Sequence, residues 1–416
     1  MKMKPVKFTA LVAFTALLLI GLWWRSHQPS SRNAPPATAA SQSGGIDPPP
    51  LHASKAIPPA PGQKSTTPIK NVDDVCGIGK LAFDGPQREK AEAELAAMLD
   101  KDLLRWRNAL LNSSDIRARA VGLFIDDRIE ASSFGKAPSQ QSLDSLVQLE
   151  QQTNDPAVYV IALSACDAVK TPAPGNSCDS ISREGWSKLE PDNAAPWLEI
   201  AGAARAVHDT DAENIAFRRA VKASRIDGYD WSLFGFAEPD MPADMTPLER
   251  SQLSIWMIGF EAAMYSPQMP TSVASRHCSA ESVKNDAVRG ECSQLAELLV
   301  KQGTTLIDFA IGTSIGARTG WPEARVAAMR EEKEALEGVW VQSEPEPGRR
   351  ESEFSCEIVL RRNYMLHERA QLGEIAAARQ AISLSGRTNL ELSQSYQEYL
   401  NKLMHGADNL SRSPTP

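Results

Sequence analysis

The chain has 416 residues, and its 44 Lys/Arg against 52 Asp/Glu leave a formal charge of −8. Residues 1–70 hold eight of those bases and one acid, Asp47, so residues 71–416 retain 36 bases against 51 acids. An acidic body of this kind argues against nucleic acid or an anionic membrane surface as partner, because neutralising phosphates needs clustered Lys/Arg.

The first element is Phe8–Trp24, a 17-residue run without charge whose only polar side chains are Thr9 and Thr15. As a helix it reaches roughly 25 Å, near the lower limit for crossing a bilayer core. Trp23 and Trp24 end it where amphipathic rings prefer the headgroup level. Lys2, Lys4 and Lys7 precede it, so the positive-inside tendency keeps the tip cytoplasmic and exports everything from Arg25 onward. A cleaved signal peptide shares this layout, but its apolar region usually runs about 7–15 residues. The nearest small-x-small site, Ala37-Thr38-Ala39, stands well past the run. The expectation is an uncleaved single-pass anchor in residues 1–25.

Residues 26–70 contain ten prolines, including Pro48-Pro49-Pro50 and Pro58-Pro59, among Ser, Ala, Thr and Gly. Too few large apolar residues occur there to offset the entropy of ordering the chain. A disordered spacer follows, reaching on the order of 140 Å at most.

All six cysteines (Cys76, Cys166, Cys178, Cys278, Cys292 and Cys356) lie past the anchor. An even count in an exported segment favours disulfides, of which six cysteines allow about fifteen pairings. Cys166 ends a helical stretch and Cys178 follows the turn-rich Thr171–Ser177, which suits a local staple. Cys278 and Cys292 flank a polar segment able to reverse the chain, and Cys76 then pairs with Cys356 by elimination. Zinc and redox sites are disfavoured, since no Cys-x-x-Cys occurs and the histidines are dispersed.

From residue 80 the apolar pattern is helical. Leu95, Leu99, Leu103, Trp106 and Leu110 mark a helix beginning near Pro86. Ser114 and Asp115 offer a cap for a second, with Val121, Phe124, Ile125 and Ile129 inward. Leu143, Leu146 and Leu149 mark a third, and Asp155-Pro156 starts a fourth through Cys166. Trp321-Pro322-Glu323 opens another that should stop at Gly338, and Leu366–Ile382 and Leu390–Leu403 close the series. The best strand signal, Glu357–Leu360, is short.

One stretch is more specific. Pro191, Trp197-Leu-Glu-Ile200-Ala201, Phe217 and Ala220 fall at the spacings of a tetratricopeptide repeat, which they resemble. Trp231-Ser-Leu-Phe234-Gly235 repeats the opening 34 residues later. Glu213 and Arg225 depart from the pattern, standing where Ala and Pro are usual. The resemblance covers residues 191–235 and implies stacked helical hairpins that present a surface to polypeptides.

Reactive motifs are sparse. Cys76-Gly-Ile-Gly-Lys80 lacks the phosphate-loop frame. Glu351-Ser352-Glu353-Phe354 is similar to the Glu-Ser-x-Phe/Tyr segment of lytic transglycosylases, where the Glu is a general acid on peptidoglycan. The Gly-Leu-Met-Gln-type motif of that family is replaced here by Ser355-Cys356-Glu357-Ile358. Gly312-Thr-Ser314-Ile-Gly316 has the Gly-x-Ser-x-Gly frame of a serine hydrolase without a convincing preceding strand. Gly312, Gly316 and Gly320 read as a tight helix contact or as a loop from Gly312 onward, and His208 as part of the turn of the repeat hairpin.

The expectation is therefore all-α: stacked helical hairpins, tetratricopeptide-like or a related α-superhelix, behind an N-terminal transmembrane helix. Residues 71–408 form the disulfide-stapled exported domain and 409–416 a tail. No catalytic, cofactor or metal residue is nominated. The expected role is a binding or scaffold module for an envelope protein or peptide, with an envelope hydrolase through Glu351 or Ser314 as the alternative.

Overall fold

A computed structural model describes residue 76 and residues 88–126, 138–169, 176–229, 232–263, 270–341 and 356–411. Phe8–Trp24, the 26–70 spacer, Ile129, Trp231 and Glu351–Phe354 lie outside these residues. Among the described residues there are sixteen α-helices and no strand, so the protein is all-α. None of these helices is long and apolar enough to cross a membrane.

Helix starts follow from side chains that satisfy backbone N–H groups lacking an intrahelical partner. After α1 (Arg88–Leu111), Asp115 accepts from the N–H groups of Arg117 and Ala118 to open α2 (Ile116–Ile125). Ser139 opens α3 (Gln140–Thr153), and Asp155 with Pro156 opens α4 (Pro156–Asp167). Ser182 caps α5 (Arg183–Leu189), Asn193 caps α6 (Ala194–Ala206) and Asp209 caps α7 (Thr210–Val221). A five-residue α8 (Leu233–Ala237) runs into a 3-10 turn at Glu238–Asp240 and then α9 (Pro247–Ala263). The helices α10 (Pro270–His277), α11 (Asp286–Gln302) and α12 (Leu306–Arg318) follow, the last opened by a capping box between Thr305 and Asp308. The chain continues through α13 (Glu323–Val341), α14 (Cys356–Leu372), α15 (Glu374–Ser385) and α16 (Asn389–Ser411).

Three local expectations are corrected. Gly338 does not stop its helix, because α13 continues to Val341. A Cβ at Gly338 would come within 2.5 Å of the Leu392 carbonyl oxygen, so this glycine lets α13 and α16 approach closely. Glu357–Leu360 is no strand but the first turn of α14, where helical context overrides β-branched preference. Leu366–Ile382 is two helices, broken at Gly373 with φ 83°, a left-handed value that glycine adopts without steric cost. Gly312 and Gly316 lie within α12, and a Cβ there would meet Leu299 at 2.8 Å and the Trp321 ring at 2.4 Å. Gly312 makes the tight helix contact, against α11, and Gly316 makes room for Trp321 in the turn that follows; neither lies in a loop.

Successive helices pack in order, α1 on α2, α2 on α3, α3 on α4, then α5 on α6 and α6 on α7. In a pure solenoid each unit touches only its neighbours. Here α8 and α9 return to the start, α8 against α2 and α9 against α1, and both also pack on α14. The core is accordingly in two large parts. Trp106, Phe124 and Phe260 centre the first, with Trp106 Nε1 donating to the Ala237 carbonyl at 3.0 Å. Leu198, Phe217 and Leu295 centre the second. A smaller cluster joins α13, α14, α15 and α16 through Leu336, Met365, Ala378 and Leu392.

Disulfides link Cys166 to Cys178, Cys278 to Cys292 and Cys76 to Cys356, the pairing expected from the chain. Two are local staples, separated by 12 and 14 residues; the third spans 280 and ties the domain entrance to the start of α14. Cys76 packs there with Leu248 of α9 and Val359 of α14.

Candidate functional site

The return of α8 and α9 onto α14 leaves a cleft of about 260 Å³ between them. Residues three or four apart share a helix face, and that spacing builds the walls. α14 contributes Asn363, Tyr364 and His367, α9 contributes Arg250 and Ser254, and the α8 region contributes Phe234, Glu238 and Met241. Most polar groups in it serve the fold. Arg250 donates to the Pro242 carbonyl at 3.1 Å, Ser254 to the Arg250 carbonyl at 2.8 Å, and Asn363 Nδ2 to the Pro247 carbonyl at 2.7 Å. His367 Nδ1 and Glu238 Oε1 form an acid–imidazole pair at 3.1 Å on the rim. That pair is an orienting unit of the kind a nucleophile needs. Ser254, the hydroxyl in the same cleft, is buried and bonded to its own helix backbone. The cleft therefore combines Phe234, Met241 and Tyr364 with a few polar groups, a make-up common in ligand sites.

Ser314 sits inside α12, not at a strand-to-helix elbow, and its hydroxyl accepts from Arg318 at 2.9 Å. Arg318 also donates to the Cys278 carbonyl at 2.9 Å. His277, the neighbour of that cysteine, is bonded to Glu213 at 2.9 Å and stacked on Phe217 instead of serving Ser314. Glu351 lies outside the described residues. His208 adopts φ 61° in the turn between α6 and α7, as expected. Among the described residues no group of three or more His, Cys, Asp or Glu could hold a metal ion.

The two positions that depart from the repeat pattern carry the polar contacts of the α6–α7 hairpin. Glu213 holds His277 and, at 3.3 Å, Arg205. Arg225 is ion-paired with Glu190. Glu190 is 4% exposed and also accepts from Trp186 Nε1 at 2.7 Å, Asn193 Nδ2 at 3.1 Å and the Tyr229 hydroxyl at 2.8 Å. Through these four donors Glu190 ties the chain after α7 back to α5.

Sequence reasoning missed three carboxylates. Burial pushes Glu199 up to about 7 against the opposing Arg183 guanidinium, and pushes Glu261 up to about 7 against Arg369. It pushes Asp308 up to about 6 against the N–H and hydroxyl donors of Thr305 and Thr304. The Thr305–Asp308 spacing was a readable capping signal; nothing around Glu199 or Glu261 announced burial.

The fold is an all-α, disulfide-stapled domain with a cleft beside α14. No family model, curated protein or solved structure matches the chain.

Proposed function

We propose that this is a single-pass protein of the cell envelope, anchored in the inner membrane through Phe8–Trp24 with its N-terminus inside. Its periplasmic domain acts as a protein- or peptide-binding or scaffold module. The observation that carries the binding role is one face of α14, where Tyr364 lines the cleft at 47% exposure and Leu360, one turn before it on the same helix, is 54% exposed. Large apolar groups left in water beside a formed cleft mark an interaction surface. Export is supported by the pairing of all six cysteines, since such bonds persist in oxidising compartments. The helical pair α6–α7 supports a tetratricopeptide-like origin for the stacked hairpins, with the spacer setting how far the module searches.

Crosslinking the full-length protein in intact envelopes tests this reading. The expected result is an envelope protein or peptide that co-purifies with the wild type and is lost in Leu360→Ala/Tyr364→Ala, whose thermal unfolding is unchanged. Capture that survives the double substitution removes the cleft from the reading. Loss of biological activity in Glu351→Gln, with capture intact, would put the hydrolase in its place.

A further inference from the structure

Charge in the cleft is not balanced from within. Its one carboxylate among the described lining residues is Glu238, which has 15% of its side chain exposed and is paired with His367. Its one guanidinium is Arg250, half-buried one turn into α9, and among the described residues no carboxylate pairs with it. Other arginines of the domain are engaged: Arg105 grips Asp244 at 2.6 and 2.7 Å, and Arg325 grips Glu297 at 2.6 and 2.9 Å. Acids outnumber bases 51 to 36 in residues 71–416, yet this cleft arginine is left without one.

Arg250 is nevertheless held in place. One N–H donates to the Pro242 carbonyl at 3.1 Å, and Asn363 of α14 holds the Pro247 carbonyl, three residues before Arg250, at 2.7 Å. A guanidinium carries five N–H donors in a planar fork, so most of them remain for another acceptor. None of the Arg250 nitrogens is both unpartnered and shut away from solvent. Beside it Phe234 and Met241 are buried and Tyr364 stands exposed, which gives an apolar group aromatic and thioether neighbours. The volume of about 260 Å³ lies under the roughly 300–1,000 Å³ of ordinary small-molecule sites, and suits one residue of a larger partner.

We infer that the cleft recognises the C-terminal residue of a partner polypeptide, its free carboxylate on the Arg250 guanidinium and its apolar side chain against Phe234, Met241 and Tyr364. This rests on the cleft being where a partner is taken, and says which part of the partner enters. A last residue carries a carboxylate and an apolar side chain on one Cα, within a single residue's volume. An acidic side chain inside a chain needs a neighbouring residue to supply the apolar part, and room for the backbone on both sides. Guanidinium and carboxylate pair through two parallel N–H donors, which Arg250 has to spare. A partner that brings one negative charge also meets little repulsion from the acidic body.

N-acetyl-leucine is a minimal probe, with the amide, the side chain and the free carboxylate of a last residue. Titrated into the full-length protein and followed by ligand-observed NMR, it is expected to bind with a dissociation constant on the order of millimolar, the scale for so small a molecule. N-acetyl-leucinamide, which lacks the charge, should bind about tenfold more weakly, as should N-acetyl-leucine with Arg250→Gln. Tyr364→Ala, at an exposed wall, should also weaken the acid and keeps a reading if Arg250→Gln folds poorly. Equal binding of acid and amide, or acid binding unchanged in Tyr364→Ala, overturns the inference. Tighter binding of the α-amide of N-acetylglutamate than of N-acetyl-leucine overturns it in favour of an acidic side chain. If no probe binds while envelope capture is still lost in Leu360→Ala/Tyr364→Ala, recognition of a chain end fails and the binding role stands. Capture that survives the double substitution removes the cleft reading itself.

Discussion

The two large cores are built on different plans. The first gathers large side chains from distant parts of the chain: Trp106 from α1, Phe124 from α2, Phe260 from α9 and Leu366 from α14. Phe260 meets Phe124 edge-on at 5.7 Å and stacks on Trp256 at 5.5 Å. The second draws on small residues, with Ala194, Ala195, Ala201, Ala216 and Ala220 buried where α6 meets its neighbours. It also contains the Cys278–Cys292 staple and borders the Glu190 network. Long-range packing gains apolar area but must close long loops, whereas neighbouring helices pack at little loop cost. The Cys76–Cys356 bond sits where loop cost is largest, beside α9 and α14.

Removing the staples separates these plans most widely. In the chain-entropy description, losing the bond across 280 residues costs up to about 5 kcal/mol, and losing Cys278–Cys292 about 3 kcal/mol. Denaturant unfolding of Cys76→Ser/Cys356→Ser and Cys278→Ser/Cys292→Ser should show that order. Equal midpoints would mean that the first core closes without its long-range tie.

Glu190 tests the polar side of the second plan. Glu190→Ala strands Arg225 and the Trp186 and Asn193 donors, and should cost about 3–5 kcal/mol. Adding Arg225→Ala should recover part of that loss in a double-mutant cycle. Additive losses would show that the pair does not act as a unit.

Legibility in the sequence follows the same division. Local features could be read: the Asp155-Pro156 start, the Asp115 cap, the short disulfides and the His208 turn each depend on a few adjacent residues. The closure of α8 and α9 onto α1, α2 and α14 could not, because no periodicity reports which distant helix covers a face. The cleft arises from that closure, so Glu238 and His367, 129 residues apart, gave no joint signal. Glu213 and Arg225 looked like defects in a repeat, and only the positions of His277 and Glu190 explain them. Gly338 looked like a stop because a helical glycine commonly marks an end; its use as a contact depends on α16, which comes later in the chain.

That contact gives a smaller test on a third region. Gly338→Ala improves intrinsic helix propensity but places a methyl against the Leu392 carbonyl, so packing should win at about 1–3 kcal/mol destabilising. Amide exchange of α16 should rise while both large cores keep their protection. A stabilised variant would show that propensity outweighs the close approach.

The smallest effect concerns Glu199, where the second region has its own raised carboxyl. It lies 3.1 Å from Arg183, which is also paired with Asp167. Burial holds its proton up to about 7 when folded, against the ordinary glutamate value of 4.5, so folding takes up a proton between those values. Stability therefore declines as pH rises through that window, and Glu199 contributes on the order of 1–2 kcal/mol once partial exposure is discounted. Glu199→Gln should lessen the pH dependence of the unfolding midpoint, with Glu261 and Asp308 keeping their share, and should leave the amide exchange of Phe234 untouched, because Asp167 still balances Arg183. If Glu199→Gln also changes the Phe234 profile, the two regions are coupled through the shared packing of α3 and α4, and the separation between their plans fails at its weakest point.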